Sequence, residues 1–86
     1  MRNEIPRASR EEVAERSGGV CEVCHRTPAT HMHHRKPRRF KDHTPANLLH
    51  LCLLDHVDIH AHPARSYAAG LLLHSYEDPR EVEVVR

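Results

Sequence analysis

The chain has 86 residues with a formal net charge of +1, a length that fits one small domain and leaves nothing to fill a second core. Only 38% of the residues are hydrophobic, with two Tyr, one Phe and no Trp; a chain of this size buries about 60 to 65% of its unfolded surface, so a staple beyond burial is expected. The scarcity of rings argues against a base-stacking platform of the RNA-recognition or OB type. No apolar run exceeds residues 68–73 and the N-terminus has no hydrophobic stretch, so the expectation is a cytoplasmic protein with no membrane partner.

In chain order, residues 1–8, with Pro6 among them, read as a flexible arm ahead of a single domain over 9–86. Ser9-Arg10-Glu11-Glu12 fits a capping box that opens a helix, and Gly18-Gly19 stops it. Cys21 to Cys24 form a tight turn. Residues 30–34 (Thr-His-Met-His-His) predict a strand, and Pro37 and Pro45 keep the following loop irregular. Leu48 to Leu51 predict a second strand, and Cys52 to Ala61 a helix limited by Pro63. Residues 64–69 predict a further helical turn or two, and 71–76 and 82–85 two more strands. The fold class expected from this order is α+β.

The charge is unevenly distributed. Residues 35–41 hold five cations in seven positions (Arg35, Lys36, Arg38, Arg39 and Lys41), whereas residues 77–86 hold four acids against two bases. The basic loop suits phosphate contacts, which position a nucleic-acid strand without reading its bases.

Ten histidines and three cysteines point to metal as the missing staple, because an odd cysteine count without an export signal disfavours a disulfide framework. Cys21 and Cys24 have zinc-knuckle spacing and Cys52 heads a helix. A fourth ligand is wanted; Asp55, three residues after Cys52, can supply a carboxylate oxygen, with His25 and His31 as substitutes. His56 and His60, four apart on a helix, share one face and can grip one ion. His33 and His34 are adjacent on a strand, so they point to opposite sides and can take different jobs. His43, His50, His62 and His74 are expected to be surface or packing residues.

Cys-x-x-Cys, then His33-His34-Arg35, Asn47-Leu48-Leu49, Leu51-Cys52, and finally His56 and His60 resemble, in order and spacing, the HNH endonuclease family. The match spans residues 9 to 63, and the small bacteriophage members, with a His-Ala-His-Pro segment and a Gly-Leu-Leu tail, look most similar. The resemblance implies a small ββα-metal (His-Me finger) domain with its core at about 30–62, beside a Cys-based zinc knuckle and an N-terminal helix. It implies His34 as general base, Asn47 as the brace of the loop that orients it, and His56 as the helix ligand. His33 and His60 would complete the catalytic metal triad. Cys21, Cys24, Cys52 and Asp55 would hold a structural Zn²⁺, although Asp55 stands where cysteine is usual in the family and His31 where many members have an acid. The implied activity is hydrolysis of DNA phosphodiester bonds with one divalent ion, in phage genome processing or packaging alongside packaging proteins.

The residue types suit that reaction. Phosphodiester hydrolysis needs an activated water, a cation for charge building on the phosphoryl oxygens, and help for the leaving oxygen. An imidazole with a pKa near about 6.5 is mostly neutral at cytosolic pH, so activity should fall below about pH 6. A three-histidine site should accept Zn²⁺, Ni²⁺, Co²⁺ or Mn²⁺ readily and Mg²⁺ more weakly. No base-reading set is apparent, so weak sequence preference is expected, from a monomer that nicks or a homodimer that makes two cuts. The competing class is a non-catalytic zinc module that binds nucleic acid or protein through the knuckle and basic loop. A third class, in which metal serves folding alone, makes His34 dispensable.

Overall fold

The computed structural model describes residues 5–84, with the side chain of Arg38 outside the description. Helix α1 (Arg7–Ser17) is followed by strand β1 (His31–His34), strand β2 (Leu48–Leu51), helix α2 (Leu53–Ala61) and helix α3 (Pro63–Ala68). This is an α+β arrangement of one two-stranded antiparallel sheet and three helices. No helix among the described residues is long and apolar enough to cross a membrane.

Helix α1 begins two residues earlier than Ser9. Pro6, extended at φ −56° and ψ 146°, is its N-cap, and no side chain caps the helix; the capping box therefore does not form, because Ser9 already lies inside the first turn. Of the expected arm over 1–8, Arg7 and Ala8 belong to this helix. Ile5 is buried with Val13 and Leu48, which fixes the chain just ahead of the helix; residues 1–4 lie outside the described residues. At the other end Gly18 adopts φ 66° and donates its N–H to the Ala14 carbonyl, the left-handed cap that glycine takes without a Cβ penalty.

The two strands pair with His33 opposite Leu49 and His34 opposite Leu48. Because side chains alternate across a strand, His31 and His33 share a face with Leu49 and Leu51, while Met32 and His34 share the other with Leu48. The first face packs a cluster of Cys21, Leu49, Leu51, Cys52 and Ile59, the last from α2. The second faces Ile5 and Val13 beside α1. Two small clusters on either side of a two-stranded sheet make a thin core, as the composition implied.

The strands expected over 71–76 and 82–85 do not form among the described residues, and Val85 lies outside them. Their backbone groups bond elsewhere: Leu71 N–H goes to Ser66 O at 2.9 Å and Leu73 N–H to Arg35 O at 2.8 Å. The organising group is the Arg35 guanidinium. It is buried at 3% exposure and donates to the carbonyls of Gly70 (2.8 Å), Ala46 (2.9 Å) and Pro79 (2.9 Å), and to that of Val82. Arg35 therefore is not a phosphate contact. Its fixed fork of donors ties the C-terminal segment to the sheet, and its position next to the basic loop in sequence concealed that role.

Candidate active site

Asn47 is fully buried at the end of a 3₁₀ turn that leads into β2. Its Oδ1 accepts the Lys36 N–H at 2.9 Å and its Nδ2 donates to Asp42 O at 2.8 Å, while its backbone carbonyl accepts Arg35 N–H at 2.8 Å. One amide side chain thus closes both ends of the loop after β1. Within the loop the local features are a 3₁₀ turn at Arg38–Phe40 and a left-handed Lys41. Lys36, Arg39 and Lys41 make no ion pair among the described residues. The Arg39 guanidinium lies 5.0 Å from the Phe40 ring centroid.

His33, His56 and His60 converge across the face of β1 and α2. Ring centroids are 5.4 Å apart for His33–His56, 5.6 Å for His33–His60 and 5.1 Å for His56–His60. One nitrogen from each lies within 4.8 Å of the others, a grouping that could hold a metal ion. His33 is nearly inaccessible, and its Nε2 sits 2.7 Å from the Leu71 carbonyl. A carbonyl only accepts, so Nε2 carries the hydrogen and Nδ1 keeps the lone pair, the arrangement by which an outer partner fixes a ligand's tautomer. Burial drives the His33 pKa down to about 4, and the neighbouring His56, His60 and His34 push the same way. Burial, with His60 and His31 beside it, also lowers His56. Both shifts favour the neutral ring, the form a ligand needs. A tetrahedral ion held by these three nitrogens would have a fourth position to fill.

His34 leaves β1 on the other face but lines the same cleft, of about 200 Å³, with His33, His56, His60, Met32 and Pro37. Its Nε2 is 3.0 Å from His43 Nδ1. The sequence reading missed His43 as a partner of the site: it is nine residues away across a folded loop, and no local pattern announces that return.

The second cluster joins Cys21, Cys24, Cys52 and Asp55, whose ligand atoms also lie within 4.8 Å of one another. All three cysteines are free thiols. The knuckle turn is closed by His25 N–H to Cys21 O at 3.0 Å, with His25 left-handed at φ 58°. Cys52 caps α2 and Asp55 follows in its first turn, where a negative group is favoured by the helix dipole. Asp55 Oδ2 accepts from Cys21 Sγ at 3.1 Å and from Cys52 Sγ at 3.3 Å. The thiol of Cys21, then that of Cys52, holds the Asp55 carboxyl below its ordinary range. The Asp55 amide pulls Cys52 down, but burial and the hydrogen bonds with the Asp55 carboxylate and Cys21 outweigh it and raise that thiol to about 11. Bond lengths of about 2.0 to 2.3 Å put tetrahedral donors roughly 3.3 to 3.8 Å apart, close to the two Asp55–thiol distances, so this grouping could hold one ion. His25 and His31 are not in this set; Asp55 takes the fourth place.

Of the other histidines, His50 Nδ1 bonds Ser17 Oγ at 2.8 Å, His62 Nδ1 meets Asp58 Oδ1 at 3.0 Å, and His74 stacks between Tyr67 and Tyr76. The chain matches no family model, no curated protein and no solved structure.

Proposed function

We propose that the protein is a DNA endonuclease of the HNH type, built on a ββα-metal unit of β1, β2 and α2, with a structural Zn²⁺ on Cys21, Cys24, Cys52 and Asp55. The observation that carries this reading is the convergence of His33, His56 and His60 on one cleft wall with His34 on the same cleft. A purely structural metal site would not require an additional imidazole on the same cleft.

A divalent ion on the three histidines would act as a Lewis acid toward the scissile phosphate and the leaving oxygen. The chain's own residues supply the rest. His34 takes the proton of the attacking water, and its bond to His43 holds the ring in one orientation. Asn47 fixes the loop that follows His34, so that the base keeps its distance from the ion ligands; sub-ångström errors in such distances are costly in rate. The Leu71 carbonyl accepts from His33 Nε2, so Nδ1 is the nitrogen that His33 would offer an ion. Lys36, Arg39 and Lys41 neutralise phosphates along the strand.

The test is ligand removal. His56→Ala and His60→Ala should each lose divalent-ion binding at the histidine cluster and supercoiled-plasmid nicking together, while zinc at the cysteine cluster stays at one per chain. Nicking that survives the loss of both histidines would refute the proposal.

A further inference from the structure

Beside the histidine cleft lies a second one, of about 480 Å³, where α1, β1 and α2 meet; Arg10, Thr30, His31, His50 and His56 supply its polar lining. The two clefts share His56 and Met32, so a strand crossing the histidine centre runs on into this one. Its lining contains one guanidinium and three imidazoles and no carboxylate. That composition is unusual on a chain with nearly balanced charge, 13 basic against 12 acidic residues.

Arg10 is the only permanent charge in the cleft. Unlike Arg7, which pairs with Glu11 at 2.8 Å on the same helix, and Arg16, which forks onto Glu22 at 2.7 Å, its side chain makes no hydrogen bond or ion pair among the described residues. His31 and His50 each have Nδ1 engaged by a hydroxyl, Thr30 Oγ1 at 2.8 Å and Ser17 Oγ at 2.8 Å. The hydroxyls fix both rings, and Nε2 of each remains to meet a ligand. The His31 and His56 centroids are 5.3 Å apart, so the floor of the cleft continues directly from the ion-binding wall. A guanidinium with fixed imidazoles suits an oxyanion of tetrahedral shape.

We infer that this cleft binds a phosphodiester of the DNA backbone adjacent to the one taken by the histidine centre. The inference rests on the nuclease reading for its ligand, and it assigns a phosphate contact to α1, an element that the basic loop had overshadowed. It also offsets the loss of Arg35, which is committed to the fold, from the phosphate-binding set.

The experiment measures binding of a short fluorescein-labelled DNA duplex by anisotropy between about 50 and 200 mM salt. The full chain in a His34→Ala background keeps the duplex intact. Each phosphate contact contributes about 0.9 to the slope of log affinity against log salt. Arg10→Ala should lower that slope by about one, so its roughly threefold to fivefold deficit at low salt narrows toward high salt. Arg10→Lys should restore most of the slope. Arg7→Ala, which removes an equal charge from the same helix outside the cleft, should leave the slope unchanged. An Arg10→Ala slope equal to that of the parent, an equal drop in Arg7→Ala, or no binding by the parent overturns the inference. Arg10-dependent binding by a chain that, with His34 restored, never cuts DNA supports the cleft and refutes the nuclease reading instead.

Discussion

Asp55 Oδ2 lies 3.1 Å from Cys21 Sγ, and the same oxygen is 3.3 Å from Cys52 Sγ. This carboxylate completes a four-donor cluster with the three thiols. Carboxylate is a harder ligand than thiolate, so Asp55→Cys should tighten zinc binding. Each tenfold gain in affinity adds about 1.4 kcal/mol to the holo-protein's stability, which is roughly 6 to 11 °C in melting temperature for a domain of this size. Asp55→Ala should do the reverse. Zinc competition with a chromogenic chelator reads both. Equal affinities for Asp55→Cys, Asp55→Ala and wild type would remove Asp55 from the site.

Asn47 satisfies the Lys36 N–H and the Asp42 carbonyl with one side chain. Asn47→Ala leaves both groups without that partner, at about 2 to 4 kcal/mol in total. Chemical denaturation should show a loss of that size, and nicking by the folded fraction should fall as well, since the loop next to His34 is released. A variant that melts like wild type and cuts like it would show that the brace is idle.

Arg35→Lys separates the two roles that this residue could have. A lysine keeps the charge but cannot reach the carbonyls of Gly70, Ala46, Pro79 and Val82 together. Buried carbonyls left unpaired should cost about 3 kcal/mol. Gly70→Ala should weaken the same junction, because Gly70 is left-handed at φ +77° and a Cβ there would collide with the Glu83 carbonyl. Denaturation midpoints for the two variants decide the matter; an Arg35→Lys chain of unchanged stability with altered DNA affinity would return Arg35 to the phosphate-binding set.

Acid should destabilise the metal-free protein through His33. Its folded-state pKa of about 4 lies below the ordinary 6.5, so the unfolded chain binds the extra proton between those values. Stability is fully present above about 6.5 and is lost as pH falls toward 4, by about 3 kcal/mol in all. His56, lowered by burial and by His60 and His31, acts in the same direction. Urea unfolding of chelator-treated protein at pH 7 and near pH 4.5 should differ by about 2 to 3 kcal/mol. His33→Gln should flatten most of that difference, and a flat profile in the parent would contradict the burial of a neutral ring.

Much of this architecture was legible locally. Residues 30–34 and the run Leu48–Leu51 predicted the two strands, and the spacing of His56 and His60 predicted their shared helix face, because short-range periodicity decides those features. The site's supports were not legible. Leu71 reaches His33 from 38 residues away and the carbonyls on Arg35 come from up to 47 residues away, so 71–76 and 82–85 read as strands when the segment is organised by one buried guanidinium. Ser9 and Glu12 made a plausible capping box, but Pro6 and the burial of Ile5 set the helix start instead. His43 joined the site through loop closure by Asn47, a tertiary event with no periodic trace.

In the proposed nuclease His34 acts as base beside an ion held by His33, His56 and His60. This role is tested most directly by supplying wild type and His34→Ala with Mg²⁺, Mn²⁺, Ni²⁺ or Zn²⁺ separately, following conversion of supercoiled plasmid, and counting bound metal in both. One of these ions should support nicking by wild type, and His34→Ala should keep its fold and its metal yet cut at least about 100-fold more slowly, on the order of a lost general base. Equal rates in the two proteins, or inert wild type that is folded and fully metal-loaded, would contradict this role.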